Sequence, residues 1–322
     1  MTKQIDSAAL PVSARVRLGG RVAAPPPHAY FVGSAIFHYL GPAFAVLLFA
    51  RVQPLGVAWL RIVSAGLMFA AWRKPWRKLR LLDATTVRVL AGLGVVFAVM
   101  NSCFYLAIDR LPLGTVAAIE FLPVILLAAL GVRTRRNGVA LALAVAGVYV
   151  LTDVQLRGQP LGVVFAFANA ALFAVYIVLA HRVARQPLLN RIDGLTAAML
   201  IAAVAATPIG GWSAAHAFLD PVALAAGIGV GVTSSVIPYV CDQLAMARLP
   251  RATYSLLVSL LPATATVIGI IVLTQIPTAR ELAGVALVVL AVAAHRERLE
   301  PSAPARSRAT ATWREARAGV ER

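Results

Sequence analysis

The chain has 322 residues, of which 60% are hydrophobic and 13% charged, with a mean hydropathy of +0.81. A soluble globule carries about 25% charged residues and cannot bury so much apolar surface. Disorder, a disulfide scaffold, a collagen-like rod and an ordinary cytosolic enzyme are therefore excluded, and an all-α polytopic membrane protein is predicted.

A helix needs about 20 mainly apolar residues to cross the hydrocarbon core. Ten stretches qualify, near 29–50, 54–72, 87–108, 111–132, 137–152, 160–181, 192–212, 221–247, 251–274 and 279–295. The fifth is short. The runs are continuous rather than alternating, which excludes a β-barrel; helices satisfy their own backbone groups in lipid.

The net charge of +17 is no nucleic-acid signature, because the basic residues gather between the apolar runs. Assigning the loops alternately to two sides puts 25 of the 30 Lys and Arg residues on one side, with both tails. Arg51, Arg110, Arg157 and Arg280 fall on the other, and Arg61 lies within the second span. The positive-inside rule then predicts cytoplasmic termini and an inner-membrane protein. Residues 1–28 have no apolar h-region of their own, so the first span reads as an uncleaved anchor. The basic tail 296–322 reads as a solvated or lipid-skimming cytoplasmic segment.

Cys103–Thr115 aligns with Cys241–Thr253, with seven of thirteen positions identical at an offset of 138. Glu120-x-x-Pro123 then matches Ser259-x-x-Pro262 after a one-residue slip, and Gly138-Val-Ala-Leu141 matches Gly284-Val-Ala-Leu287. The chain thus divides into five-helix units, 29–152 and 160–295. An odd number of spans per unit makes the copies inverted, a recurrent build for secondary transporters with a site near the midplane.

An ionisable group inside the membrane is expensive and points to function. Glu120 lies roughly 13 Å into the fourth span, at 1.5 Å rise per residue. There it can carry a proton, bind an ammonium, or serve as a neutral structural carboxyl. Asp242 lies nearer the cytoplasmic end of the eighth span, where a functional and a merely hydrated role both fit. Arg61 can hold a substrate carboxylate, pair with Glu120, or snorkel outward. Asn101 and Tyr105, at i and i+4 in the third span, map through the repeat onto Tyr239 and Gln243 in the eighth. These matched polar faces suit the walls of a shared cavity, and each residue alone suits an interhelical hydrogen bond. His38 in the first span titrates near neutral pH when unperturbed, although a lone histidine is commonly structural. Pro123 and Pro262 remove helical hydrogen bonds at equivalent places and read as matched hinges.

Gly227-x-Gly229-x-Gly231 follows no strand, so helix packing accounts for it better than phosphate binding. No Walker A, HExxH or GxSxG pattern occurs. No catalytic, metal or cofactor site is expected; Cys103 and Cys241 read as packing residues. The implied partners are a small-molecule substrate, protons and the bilayer, with no nucleic acid. A homodimer is among the assemblies open to such a bundle.

The stretch Phe104–Phe121, together with Ser234-Ser-Val-Ile-Pro-Tyr239, Leu244–Pro250 and Ser259-Leu-Leu-Pro262, resembles the EamA branch of the drug/metabolite transporter superfamily. Within it, the bacterial threonine/homoserine exporters are the most similar subgroup. The resemblance implies a ten-helix inner-membrane antiporter that exports amino acids or related metabolites. Glu120 and Asp242 match acidic positions of that family. Leu261 and Thr274-Gln275 depart from it, where glutamate and Gly-Glu are common. The alternatives are a drug or other organic-solute exporter of the same fold, and a non-transporting membrane scaffold.

Overall fold

Helix starts in this chain follow its prolines and aspartates. A computed structural model describes residues 26–76, 82–131, 134–156, 158–186, 189, 191–249 and 251–294. Proline opens α1 (Pro27–Leu48), α2 (Pro54–Arg73), α7 (Pro160–Ala184) and α9 (Pro221–Gly231). Its fixed φ suits the first turn, where its missing N–H would have had no partner. Asp83 caps α3 (Ala84–Ile108) by accepting from the Thr85 and Thr86 amides, at 3.0 and 3.2 Å. Asp220 caps α9 in the same way, accepting from Val222 and Ala223 at 3.0 and 3.1 Å.

The fourth apolar stretch is divided between α4 (Leu113–Glu120) and α5 (Leu122–Gly131). The ninth is divided between α11 (Arg251–Val258) and α12 (Leu261–Leu273). Both breaks come just ahead of the prolines singled out in the sequence. The fifth stretch is longer than its apolar run suggested: α6 covers Arg135–Leu156, 22 residues, because polar ends extend it. α8 (Arg191–Ala206) passes through a π-helical segment, Thr207–Gly211, and continues to Phe218. A second π segment, Val232–Val236, joins α9 to α10 (Ile237–Arg248), and α13 is Ala279–Ala294. Six helices among the described residues are long and apolar enough to cross a membrane, and no strand occurs among them. Large apolar side chains such as Leu67 (60% exposed) and Ile271 (70%) face outward from the bundle, as lipid contact requires. Of the two tails, all but Pro26–His28 lies outside the described residues.

Packing joins the two halves of the chain. α2 lies on α8, α4 on α12, and α6 on α13. α3 packs on α7 and α8, α1 packs on α9, α10 and the π segment between them, and α2 packs on α9 and that π segment. α4 and α5 rest on α7, and α12 rests on α1. Glycine permits several close approaches: a Cβ at Gly147 or Gly284 would lie about 3 Å from the other's carbonyl oxygen (2.8 and 3.0 Å). Gly231 likewise backs onto Ser64 and the Arg61 carbonyl. Ion pairs tie both ends of the α2–α8 seam. Arg73 Nε meets the buried Asp193 at 2.8 Å, and Arg51 meets Asp220 at 2.9 Å in the loops.

Candidate functional site: a central cavity

A cavity of about 320 Å³ lies between α1, α2, α3, α4, α5, α7, α10, α11 and α12. Glu120 reaches it from the last position of α4. Pro123 has no N–H for the Ile119 carbonyl, so the chain tightens there. The Phe121 amide donates to the Ala118 carbonyl at 3.3 Å, and a fresh helix begins at Leu122. In the ninth stretch the Leu260 amide donates to Leu257 at 3.0 Å ahead of Pro262, the same turn in a different setting. Glu120 Oε1 accepts a hydrogen bond from Asn169 Nδ2 at 3.2 Å, and the Asn169 side chain is wholly buried in α7.

Arg61 enters the cavity from α2 and is only 8% exposed. Its Nε donates to Ser235 Oγ at 3.2 Å, and an Nη donates to the Ser234 carbonyl at 3.3 Å. Proline explains that second bond. The residue four beyond Ser234 is Pro238, which has no N–H to give the Ser234 carbonyl an α-helical bond. The guanidinium supplies one instead. Its carbon also lies 5.7 Å from the centre of the Tyr105 ring, at cation–π distance. The Tyr105 hydroxyl is turned toward Arg61 and Ser234 but completes a hydrogen bond to neither. Arg61 therefore neither snorkels to the surface nor forms an ion pair with Glu120. Among the described residues the cavity wall has one guanidinium and one carboxylate, each held by neutral groups.

The structure places the sequence-predicted residues in different settings. Glu120, Arg61, Asn101, His38 and Tyr239 share the central cavity. The Asn101 amide donates back to the Phe97 carbonyl at 2.8 Å, and the His38 ring lies edge-on to Tyr39 at 5.1 Å. Tyr105 sits behind Arg61, outside the cavity wall. Asp242 lines a separate cavity of about 260 Å³, whose wall shares Tyr176 and Tyr239 with the central one. Ser34 and Tyr254 place hydroxyls beside the Asp242 carboxyl. Pro123 and Pro262 are buried next to their breaks. The Gln243 side chain lies outside the described residues.

Sequence reasoning missed Asn169, Tyr39, Tyr176 and Tyr254 on the wall, and the role of Ser234 and Ser235. Asn169 had a readable signal, since it is the sole amide in the apolar run 160–181. For Arg61 the signal was the spacing Ser234-x-x-x-Pro238, which takes the α-helical donor away from that carbonyl.

An all-helical membrane bundle built around a small, charged, internal cavity is the form of a small-molecule transporter. A family model described as "EamA-like transporter family" matches residues 160–294. The threonine/homoserine exporter RhtA of Escherichia coli K12 is 31% identical over 259 residues, covering 78% of this chain and 84% of that protein. RhtA of Salmonella typhimurium LT2 is 31% identical over 257 residues with the same coverage. A solved crystal structure, 19% identical, aligns with 84% of this chain and 96% of its own at a TM-score of 0.52, a likeness of fold alone. The chain belongs to the EamA-like transporter family and is a transporter rather than an enzyme.

Proposed function

We propose that this protein is a proton-coupled secondary exporter of small zwitterionic amino acids, of the threonine or homoserine kind, in a bacterial inner membrane. One observation carries the reading: Arg61 and Glu120 share a buried cavity without pairing with each other. A zwitterion brings the complement of each, with its carboxylate for the guanidinium and its ammonium for the carboxylate. Substrate ammonium and proton then compete for Glu120, which is what exchange of one for the other requires.

Alternating access is supported by the packing. Exchanging spans 1–5 with 6–10 maps the contact of α3 with α7 onto that of α10 with α1. It maps α3 on α8 onto α9 on α2, and α4 and α5 on α7 onto α12 on α1. The pairs α2–α8, α4–α12 and α6–α13 map onto themselves. Such a network suits ten spans arranged as two inverted five-helix repeats, with Pro123 and Pro262 as matched hinges and both termini cytoplasmic. Asp242, beyond Tyr176 and Tyr239, suits the cytoplasmic approach to the site.

The test is efflux from proteoliposomes under an imposed pH gradient, screened across amino acids and organic cations. Amino-acid efflux that rises with the gradient supports the reading. Export of organic cations alone would replace it with the drug-exporter alternative, and gradient-independent amino-acid movement would remove the proton.

A further inference from the structure

Buried polar atoms nearly always have a hydrogen-bond partner, and an orphan calls for an explanation such as a missing ligand. Among the described residues, five buried side-chain atoms have none: Tyr39 Oη, Tyr105 Oη, Thr152 Oγ1, Asn169 Oδ1 and Ser234 Oγ. Four of the five surround one place. Tyr39 and Asn169 line the central cavity, while Tyr105 and Ser234 flank the Arg61 guanidinium at its edge.

The cavity-lining orphans belong to residues that share a wall with Glu120. Asn169 donates to Glu120 through Nδ2, which leaves its amide oxygen unpaired. Tyr39, 1% exposed on α1, lies within electrostatic reach of Glu120. Three oxygen acceptors thus belong to residues from three helices on one cavity wall: a carboxylate oxygen, an amide oxygen and a phenol oxygen. A primary ammonium has three N–H donors.

We propose that Tyr39 and Asn169 join Glu120 in a three-oxygen receptor for a primary ammonium, which makes the transporter selective for unmethylated amines. This rests on the reading of the central cavity as the amino-acid site and adds the groups that recognise the nitrogen. The rest of the wall gives the proposal its contrast. Phe97, Phe104, Phe121 and Phe173 would favour a methylated ammonium by cation–π contact if the rings decided recognition. A polar receptor rejects the same ion, because each N-methyl removes a donor and leaves a buried oxygen unmet.

The experiment is direct binding to the purified full-length protein in nanodiscs. The probes are L-threonine, L-leucine and L-phenylalanine, each with its N-methyl and N,N,N-trimethyl counterpart. At least one parent should bind, its N-methyl form about tenfold more weakly, near 1.4 kcal/mol, and its trimethyl form not measurably. Tyr39→Phe, which keeps the ring and removes the hydroxyl, should weaken the parent by about tenfold and narrow its advantage over the N-methyl form. Thermal unfolding of Tyr39→Phe close to wild type separates lost binding from lost fold, and if that variant unfolds, the methylation series on the wild type decides alone. A trimethyl probe that binds as well as its parent, or a folded Tyr39→Phe protein with unchanged affinity, overturns the receptor and leaves the cavity reading standing. Failure of all three parents, with organic cations binding in their place, overturns both.

Discussion

The two halves of the molecule repeat the same structural devices but contribute different chemistry to the cavity. Each has an aspartate capping its third helix, Asp83 and Asp220, a left-handed residue closing one helix, Lys74 and Thr274, and a proline-led break in its fourth span. The first half provides the charges at the centre, Arg61 and Glu120. The second provides the neutral groups that hold them, Ser234, Ser235 and Asn169. Two halves can thus keep their backbone breaks in common while their side chains divide the work. A lone charge in lipid is costly, and here the polar partners come from the other half.

The sharpest break of this comparison is Glu120→Gln against Ser259→Ala at the repeat-matched position. The first should reduce pH-gradient-driven efflux in proteoliposomes to the level of empty vesicles, and the second should leave efflux near wild type. Equal losses would mean that the two breaks act alike. Next in size is the seam between the halves. Asp193 is 2% exposed beside Arg73, so Asp193→Ala leaves a cation partly buried and should lower stability in detergent by on the order of 3 kcal/mol. Arg51→Ala should cost far less, because the Arg51–Asp220 pair is open to water. Ser235→Ala removes the acceptor of Arg61 Nε and should cost about 1–3 kcal/mol. It should also weaken amino-acid binding, and unchanged binding would show that the guanidinium is held by Ser234 alone.

Smaller effects lie at the helix ends. Thr274 takes φ 52°, a left-handed conformation that a β-branched side chain resists. Thr274→Gly should raise stability by about 0.5–1 kcal/mol. Lys74→Gly, at φ 48° and unbranched, should raise it by less. The smallest effect is titration of the caps. Hydrogen bonds from the Thr86 hydroxyl and amide hold Asp83 below the usual carboxylate range. The Ala223 amide, then Arg51, hold Asp220 below it. A depressed folded-state pKa contributes stability above the unfolded value and loses it as pH falls through the folded one. Acid melts should therefore shift slightly less with pH in Asp83→Asn and Asp220→Asn, which keep the caps without the charge.

Much of this was legible along the chain. Apolar run lengths marked the helices, the match of Glu120-x-x-Pro123 to Ser259-x-x-Pro262 located the matched breaks, and Glu120 and Arg61 stood out because ionisable groups in apolar runs are rare. Other features were not. The π segments at Thr207–Gly211 and Val232–Val236 contain or precede a proline, but no local pattern separates a π bulge from a kink. Asn101 and Tyr105 share a helix face, yet only Asn101 reaches the cavity, because Arg61 from another helix lies over the Tyr105 ring. Tyr39 looked like one more apolar residue of the first span.

Taken by itself, the sequence determined that the chain is a helical membrane protein with breaks at 120–123 and 259–262, since run length, proline and charge act through local backbone rules. Tertiary structure decided that Arg61 would sit on the Ser234 carbonyl and not on Glu120, that Asn169 would hold the carboxylate, and that Asp242 would line a different cavity. Those outcomes depend on which helix faces which across the two halves. Hydrogen-bond partners 49 residues apart, as Glu120 and Asn169 are, or 174 apart, as Arg61 and Ser235 are, leave no periodic trace in the chain.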